Sequence, residues 1–244
     1  MFTSLSTRRA VRAILFDTFG TLVDWRSGIV AAIDEFTVSA GLHLDPERIA
    51  DKWRARYQPS MEPIRTGERD YVTLDVLHDE NLRAVLNDSG VHPERFDAEL
   101  LERLSRAWRR LRPWPDVAGG VDQLRRSYPV GPLSNANTAL LIDLSRFAKL
   151  SWDVVLGSDV FRSYKPDPKV YRRAATFLGL DPGEVMLVAA HNDDLTGARR
   201  AGLATGFVLR ANEYGAGQVS DLTATGDWDV IARSVPDLAQ WLVR

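Results

Sequence analysis

The 244-residue chain is 45% hydrophobic and 26% charged with a formal net charge of -2, a balance that suits one sizeable folded core or a core with an insertion and excludes the basic footprint of a nucleic-acid binder. It has no cysteine, which excludes disulfides, thiolate catalysis and Cys-based metal sites. No apolar run nears the roughly 18 residues of a membrane span, so neither nucleic acid nor membrane is an expected partner.

Residues 1–10 contain Arg8-Arg9 but no apolar signal stretch, and read as a flexible lead-in to a cytoplasmic protein. The run Ala13-Ile14-Leu15-Phe16 stops at Asp17, and Thr18-Phe19-Gly20-Thr21 follows. An apolar run ending in a polar, glycine-containing turn reads as a buried strand of a parallel sheet. Ile29, Val30, Ile33 and Phe36 then recur on one helical face, closed by Gly41. Asp45-Pro46-Glu47 is a helix start: a cap, proline at the first position and an acid in the first turn. That helix carries Ile49, Trp53 and Tyr57 and is expected to break at Pro59 and Pro63. Further helices are expected over 69–87 and 96–111, so residues 25–112 read as all-helical.

After the stiff connector Pro113-Trp114-Pro115-Asp116 the pattern changes. A helix over 117–126 leads to a strand over 130–134. Helix 138–147 and strand 152–157 follow, then helix 168–178 and strand 185–190, then helix 194–201 and strand 205–210. A strand over 228–232 and a helix over 235–243 close the chain. Alternation of this kind predicts an α/β fold, a parallel sheet with helices on both faces. The expected division is a core of residues 11–24 and 113–244 with an inserted helical cap of residues 25–112.

Parallel strands bring their carboxyl ends onto one edge, where ligands bind. That edge collects Asp17-Thr18, Ser134-Asn135, Lys165 and His191-Asn192-Asp193-Asp194. Each residue also has a plainer reading. Asp17, Ser134-Asn135 and Asp194 could cap turns or helices, Lys165-Pro166-Asp167-Pro168 could be a surface turn, and His191 could be a structural histidine. Together they supply a nucleophilic carboxylate, a cation, small donors and a second acid.

The sequence resembles the haloacid dehalogenase superfamily. The resemblance rests on the aspartate motif from Asp17 to Thr21, on Ser134-Asn135, on Lys165-Pro166-Asp167, and on Asp194 with Gly197-Ala198. It implies a Rossmann-like core and an aspartate that forms a covalent intermediate hydrolysed by water. Phosphatases of this type carry a second aspartate two positions after the nucleophile, where this chain has Phe19, and a metal-holding acid at the position of Ala190. A phenyl ring donates no proton, and magnesium prefers hard oxygen ligands. The match is therefore to the type II, L-2-haloacid dehalogenase branch, which implies no metal or other cofactor. Trp53-Arg54, Tyr171, the run 210–215 and Trp228-Asp229-Val230 also resemble that branch.

The resemblance implies these roles. Asp17 displaces halide from C2 of a short 2-haloacid, with inversion, and Lys165 keeps Asp17 ionised. Thr18, Ser134, Asn135 and Asn192 bind substrate, and Arg54 receives the halide. Phe19, Trp53 and Tyr171 wall out water, and Asp194, with His191, positions or deprotonates the hydrolytic water. Two departures stand out: His191 where many relatives have Asn, as in a subgroup with members acting on fluoroacetate, and Asp193 where an aromatic is usual. A phosphatase of the same superfamily and a catalytically weak binding homologue are the alternatives. Relatives are often dimers, and the Leu/Trp-rich cap helices could form such an interface or simply face their own core.

Overall fold

A computed structural model of the protein describes residues 11–243; the expected lead-in over 1–10 lies outside them. Strand β1 (Ala13–Phe16) is buried at every position, as its apolar run requires. A short strand β2 (Val23–Asp24) then passes into the helical insertion. The Asp24 side chain accepts from Ser27 N and starts helix α1 (Trp25–Ser39) four residues ahead of the expected Ile29. Asp45 caps α2 (Pro46–Ala55) in the same way.

The expected break at Pro59 and Pro63 does not occur. The chain interrupts at Arg56 and resumes as α3 (Tyr57–Thr66), which contains both prolines. Pro59 lies in its first turn, where the missing N–H would have had no partner in the helix. Residues 69–73 are not helical; α4 (Leu74–Asn87) begins after Thr73. The expected helix over 96–111 is shorter, α5 (Ala98–Ser105), continued by a 3₁₀ turn over Arg106–Arg109. Strand β3 (Arg112–Pro113) pairs antiparallel with β2, so the two ends of the insertion are tied side by side.

The remaining chain winds the core. It runs through α6 (Val117–Arg125), β4 (Val130–Pro132), α7 (Thr138–Ala148), α8 (Ser158–Phe161) and α9 (Pro168–Phe177). It continues through β5 (Val185–Ala189), α10 (Asn192–Ala201), β6 (Ala204–Val208), β7 (Val230–Ala232) and α11 (Val235–Leu242). The sheet order is β4-β1-β5-β6-β7, with every pairing parallel.

Alternate side chains feed two apolar layers. Ile14, Phe16, Met186 and Val188 join the layer continuous with the insertion. Ala13, Leu15, Leu187 and Ala189 pack on Tyr171, Ala174, Leu195 and Ala198 from α9 and α10.

The strand expected over 152–157 is reduced to a single bridge between Leu133 and Leu156. Asp153 N and Leu156 N still donate to Val130 O and Pro132 O, but Pro132 has no N–H to continue the ladder. β1 lies between β4 and β5, at the reversal of strand order where open α/β sheets form their crevice.

Candidate active site

Asp17 is the first residue past β1, and its N–H donates to Val188 O at 2.9 Å, which fixes it to the sheet edge. The turn that follows folds tightly, with Leu22 N donating to Thr18 O and Gly20 N to Val23 O. Gly20 has φ +82°, and a Cβ there would stand 2.1 Å from the Glu213 carboxylate. Glycine is thus required twice, by the backbone and by the packing.

The two carboxylate oxygens of Asp17 have different partners. Oδ1 accepts from Lys165 Nζ at 2.9 Å. Oδ2 accepts from Thr21 Oγ1 at 2.8 Å and faces His191 Nδ1 at 3.2 Å. Thr21 Oγ1 in turn accepts from Ala190 N. Lys165 Nζ reaches a second acid, Asp194 Oδ2, at 2.5 Å, and the Tyr171 hydroxyl donates to Asp194 Oδ1 at 2.7 Å. The Lys165 backbone is seated by its N–H on Asn135 Oδ1 at 2.7 Å. His191 Nε2 lies 2.9 Å from Glu213 Oε2, and Trp25 Nε1 donates to Glu213 Oε1 at 2.9 Å.

This packing sets the protonation states. Burial alone would raise the Asp17 carboxyl, but Lys165 and His191 outweigh it and hold it far below the ordinary carboxylate range. Burial would lower Lys165; Asp17 and Asp194 instead push it above its ordinary value. Asp194 is raised, by burial first and by the charge of Asp17 second, against the opposing pull of Lys165. Burial opposes charge on His191, yet Glu213 and Asp17 raise it well above its ordinary value.

Above this floor the insertion supplies Arg54. Its guanidinium carbon lies 4.3 Å from the Tyr57 ring centre and 5.2 Å from that of Trp25. Nη2 is 4.0 Å from Glu213 Oε1. Nη1 is buried and has no hydrogen-bond partner among the described residues. Phe19 meets Tyr57 and Trp108 edge-on, at ring distances of 6.3 and 5.4 Å.

A cavity of about 560 Å³ is lined by Asp17, Phe19, Arg54, Asn135, Lys165, His191 and Asp194, seven of the residues singled out from the sequence. Thr18, Ser134, Tyr171 and Asn192 stand off it. The Thr18 carbonyl closes the turn after Asp17, and the Ser134 hydroxyl accepts from Ala136 N. Tyr171 lies behind Asp194 and does not wall the cavity.

Asn192 does not line the cavity. Its amide is consumed by Asp221 Oδ1, Thr223 O, Thr225 N and Trp228 Nε1, which pin the loop before β7. Trp53 is buried in the insertion, donating to His78 O. Asp193 is exposed and lines the rim of the cavity together with Asp51 and Asp221.

Both ring nitrogens of His191 face carboxylates, an arrangement in which both carry hydrogen when those carboxylates are ionised and neither is left to accept a proton from water. Glu213 and Tyr57 are site residues to which the sequence reading gave no role. For Glu213 the available signal was position: it follows β6, whose carboxyl end shares the sheet edge with Asp17.

The profile of the haloacid dehalogenase-like hydrolases matches residues 11–202. An (S)-2-haloacid dehalogenase 4A of Burkholderia cepacia is 33% identical over 209 residues, 84% of this chain and 85% of that one. The solved structure of a defluorinating L-2-haloacid dehalogenase is 53% identical and superposes with a TM-score of 0.96, covering 100% of this chain and 99% of that one. A second L-2-haloacid dehalogenase structure is 46% identical with a TM-score of 0.91, over 96% and 99% of the two chains. The chain belongs to the haloacid dehalogenase-like hydrolase family.

Proposed function

We propose that this protein hydrolyses short (S)-2-haloacids to 2-hydroxy acids through an ester on Asp17. The observation that carries the reading is the pairing of Asp17 with Arg54 in one cavity. Among the described residues, Asp17 Oδ1 has a single partner, the Lys165 ammonium, and Arg54 Nη1 is a buried donor without one. Oδ1 attacks C2 in line, and the carbon–halogen pair leaves as halide toward the Arg54 guanidinium, which is permanently charged. Asn135 offers its amide to the substrate carboxylate, on a loop shaped by Ser134. Water then attacks the ester carbonyl, with Asp194 as its base, a role suited to a carboxyl whose affinity for protons is raised. Because the acyl–oxygen bond breaks, C2 is inverted.

No acid stands at Phe19 to protonate a leaving alcohol, and a halide needs none. The 53% identical defluorinating enzyme supports extending the halogen range to fluoride.

The test is incubation with L-2-chloropropionate, chloroacetate and fluoroacetate in the presence of EDTA. Halide release undiminished by EDTA is expected, and Asp17→Asn should lower it by roughly 10⁴-fold or more while the circular dichroism spectrum is kept. Phosphate release dependent on magnesium with no halide release, or full turnover by Asp17→Asn, would overturn the reading.

A further inference from the structure

His191 is clamped between two carboxylates from different parts of the chain. Nδ1 faces Asp17 Oδ2 at 3.2 Å, and Nε2 faces Glu213 at 3.1 Å to Oε1 and 2.9 Å to Oε2. An ionised carboxylate only accepts, so the ring donates on both sides and is an imidazolium. Glu213 is itself held firmly. It is 1% exposed, takes a hydrogen bond from Trp25 Nε1, and presses on Gly20, where no side chain fits. The other charged groups around this pair are Lys165 and Asp194 on the far side of Asp17, Arg54 at 4.0 Å from Glu213, and Arg210, whose guanidinium also feels the Glu213 charge.

We propose that Glu213 is a positioning residue that keeps His191 doubly protonated and aimed at Asp17 Oδ2, where His191 receives the negative charge that develops when the ester is hydrolysed. This role rests on the ester chemistry of Asp17 given above. Oδ2 already accepts from Thr21 and His191, so Oδ1 is the attacking oxygen and Oδ2 becomes the acyl oxygen. When water adds to Cγ, one water proton passes to Asp194 and the carbonyl electron pair moves onto Oδ2. The charge lands between the Thr21 hydroxyl and the His191 Nδ1–H, two donors already in place. The pair then returns to re-form the carbonyl, and the Cγ–Oδ1 bond breaks with its electrons on the oxygen of the 2-hydroxy acid. That oxygen takes the proton from Asp194 through the Lys165 ammonium, which bridges Asp194 Oδ2 and Asp17 Oδ1. The new Asp17 carboxyl ionises to solvent, and one proton is released per turnover. His191 gives up no proton at any step; its charge is the function, and Glu213 maintains it.

Glu213→Gln keeps the shape and removes the charge. Halide should be released by this variant in a burst approaching one per active site, followed by turnover lowered about tenfold or more with KM changed less than about twofold. The alkaline limb of the kcat profile should move to lower pH, because the imidazolium loses a stabilising carboxylate. In a His191→Asn background the same substitution should change kcat little.

Should the buried change impair folding, the wild-type protein carries its own readout. The chain has four histidines, His43, His78, His92 and His191, few enough to assign by ¹⁵N NMR. One of them should keep both ring nitrogens protonated near neutral pH. A neutral His191 in the wild type, or a Glu213→Gln variant with no burst and an unmoved pH profile, would overturn the proposal. Wild-type protein that releases no halide from any haloacid would instead overturn the dehalogenase reading itself.

Discussion

The two oxygens of Asp17 face different kinds of neighbour. On the Oδ1 side one flexible ammonium, Lys165, is shared between two carboxylates, and the last member, Tyr171, comes from the same core layer. On the Oδ2 side a short hydroxyl and a planar ring are backed by Glu213, which connects onward to Trp25 and Arg54 of the insertion. The first side is suited to moving a proton between two oxygens. The second is suited to holding charge still. Under the proposed ester chemistry, a carboxylate that is nucleophile in one half-reaction and acyl group in the next needs both.

The sharpest way to break the first side is Lys165→Met. It strands Asp17 and Asp194 as neighbouring buried acids, and breaking such a pair costs about 3–5 kcal/mol. The urea midpoint should fall accordingly. Freed of the ammonium, Asp17 should titrate higher, moving the acid limb of kcat/KM upward in pH.

Tyr171→Phe is a milder cut on the same side. It removes a donor to ionised Asp194, a hydrogen bond worth about 1.5–3 kcal/mol. kcat should fall about tenfold or more with KM little changed, and stopped-flow halide detection should show the ester step, not the halide step, slowed.

The smallest effect concerns the second side and stability alone. His191 is raised above its ordinary value of 6.5, so the stability it contributes is complete below that pH and is lost as pH rises through the higher folded value. Thermal midpoints measured between about pH 7 and 10 should decline in the wild type, by about 2–4 °C per kcal/mol lost, and more shallowly in His191→Asn.

The Oδ1 side was legible in the sequence because each member sits beside its own local signal. Asp17 ends an apolar run, Lys165 precedes a proline-started helix, and Asp194 lies in the first turn of another. The Oδ2 side was half hidden. Glu213 lies in a loop with no periodicity, and what gives it a role is its contact with His191, together with its packing against Gly20, neither of which a local pattern encodes. Asn192 misled for a related reason: its place beside His191 suggested the cavity, whereas its amide is spent on a loop about 30 residues downstream.

In the fold, the parallel alternation was readable from hydrophobic runs alone. Pro132 was the residue that withheld an edge strand, through a missing hydrogen on the neighbouring strand β4.

The paired strands β2 and β3 have a consequence for engineering. Because the chain leaves the core at Asp24 and returns at Arg112 directly opposite, the insertion is attached like a graft on a single stem. A tight hairpin could close that stem, and another helical module could be spliced onto it, without the sheet having to span a gap. Any replacement would have to bring its own cover for Phe19 and its own counterpart to Arg54. The wall that the insertion gives the cavity is thereby exchangeable as a cassette, while the acid at the end of β1 stays where the sheet puts it.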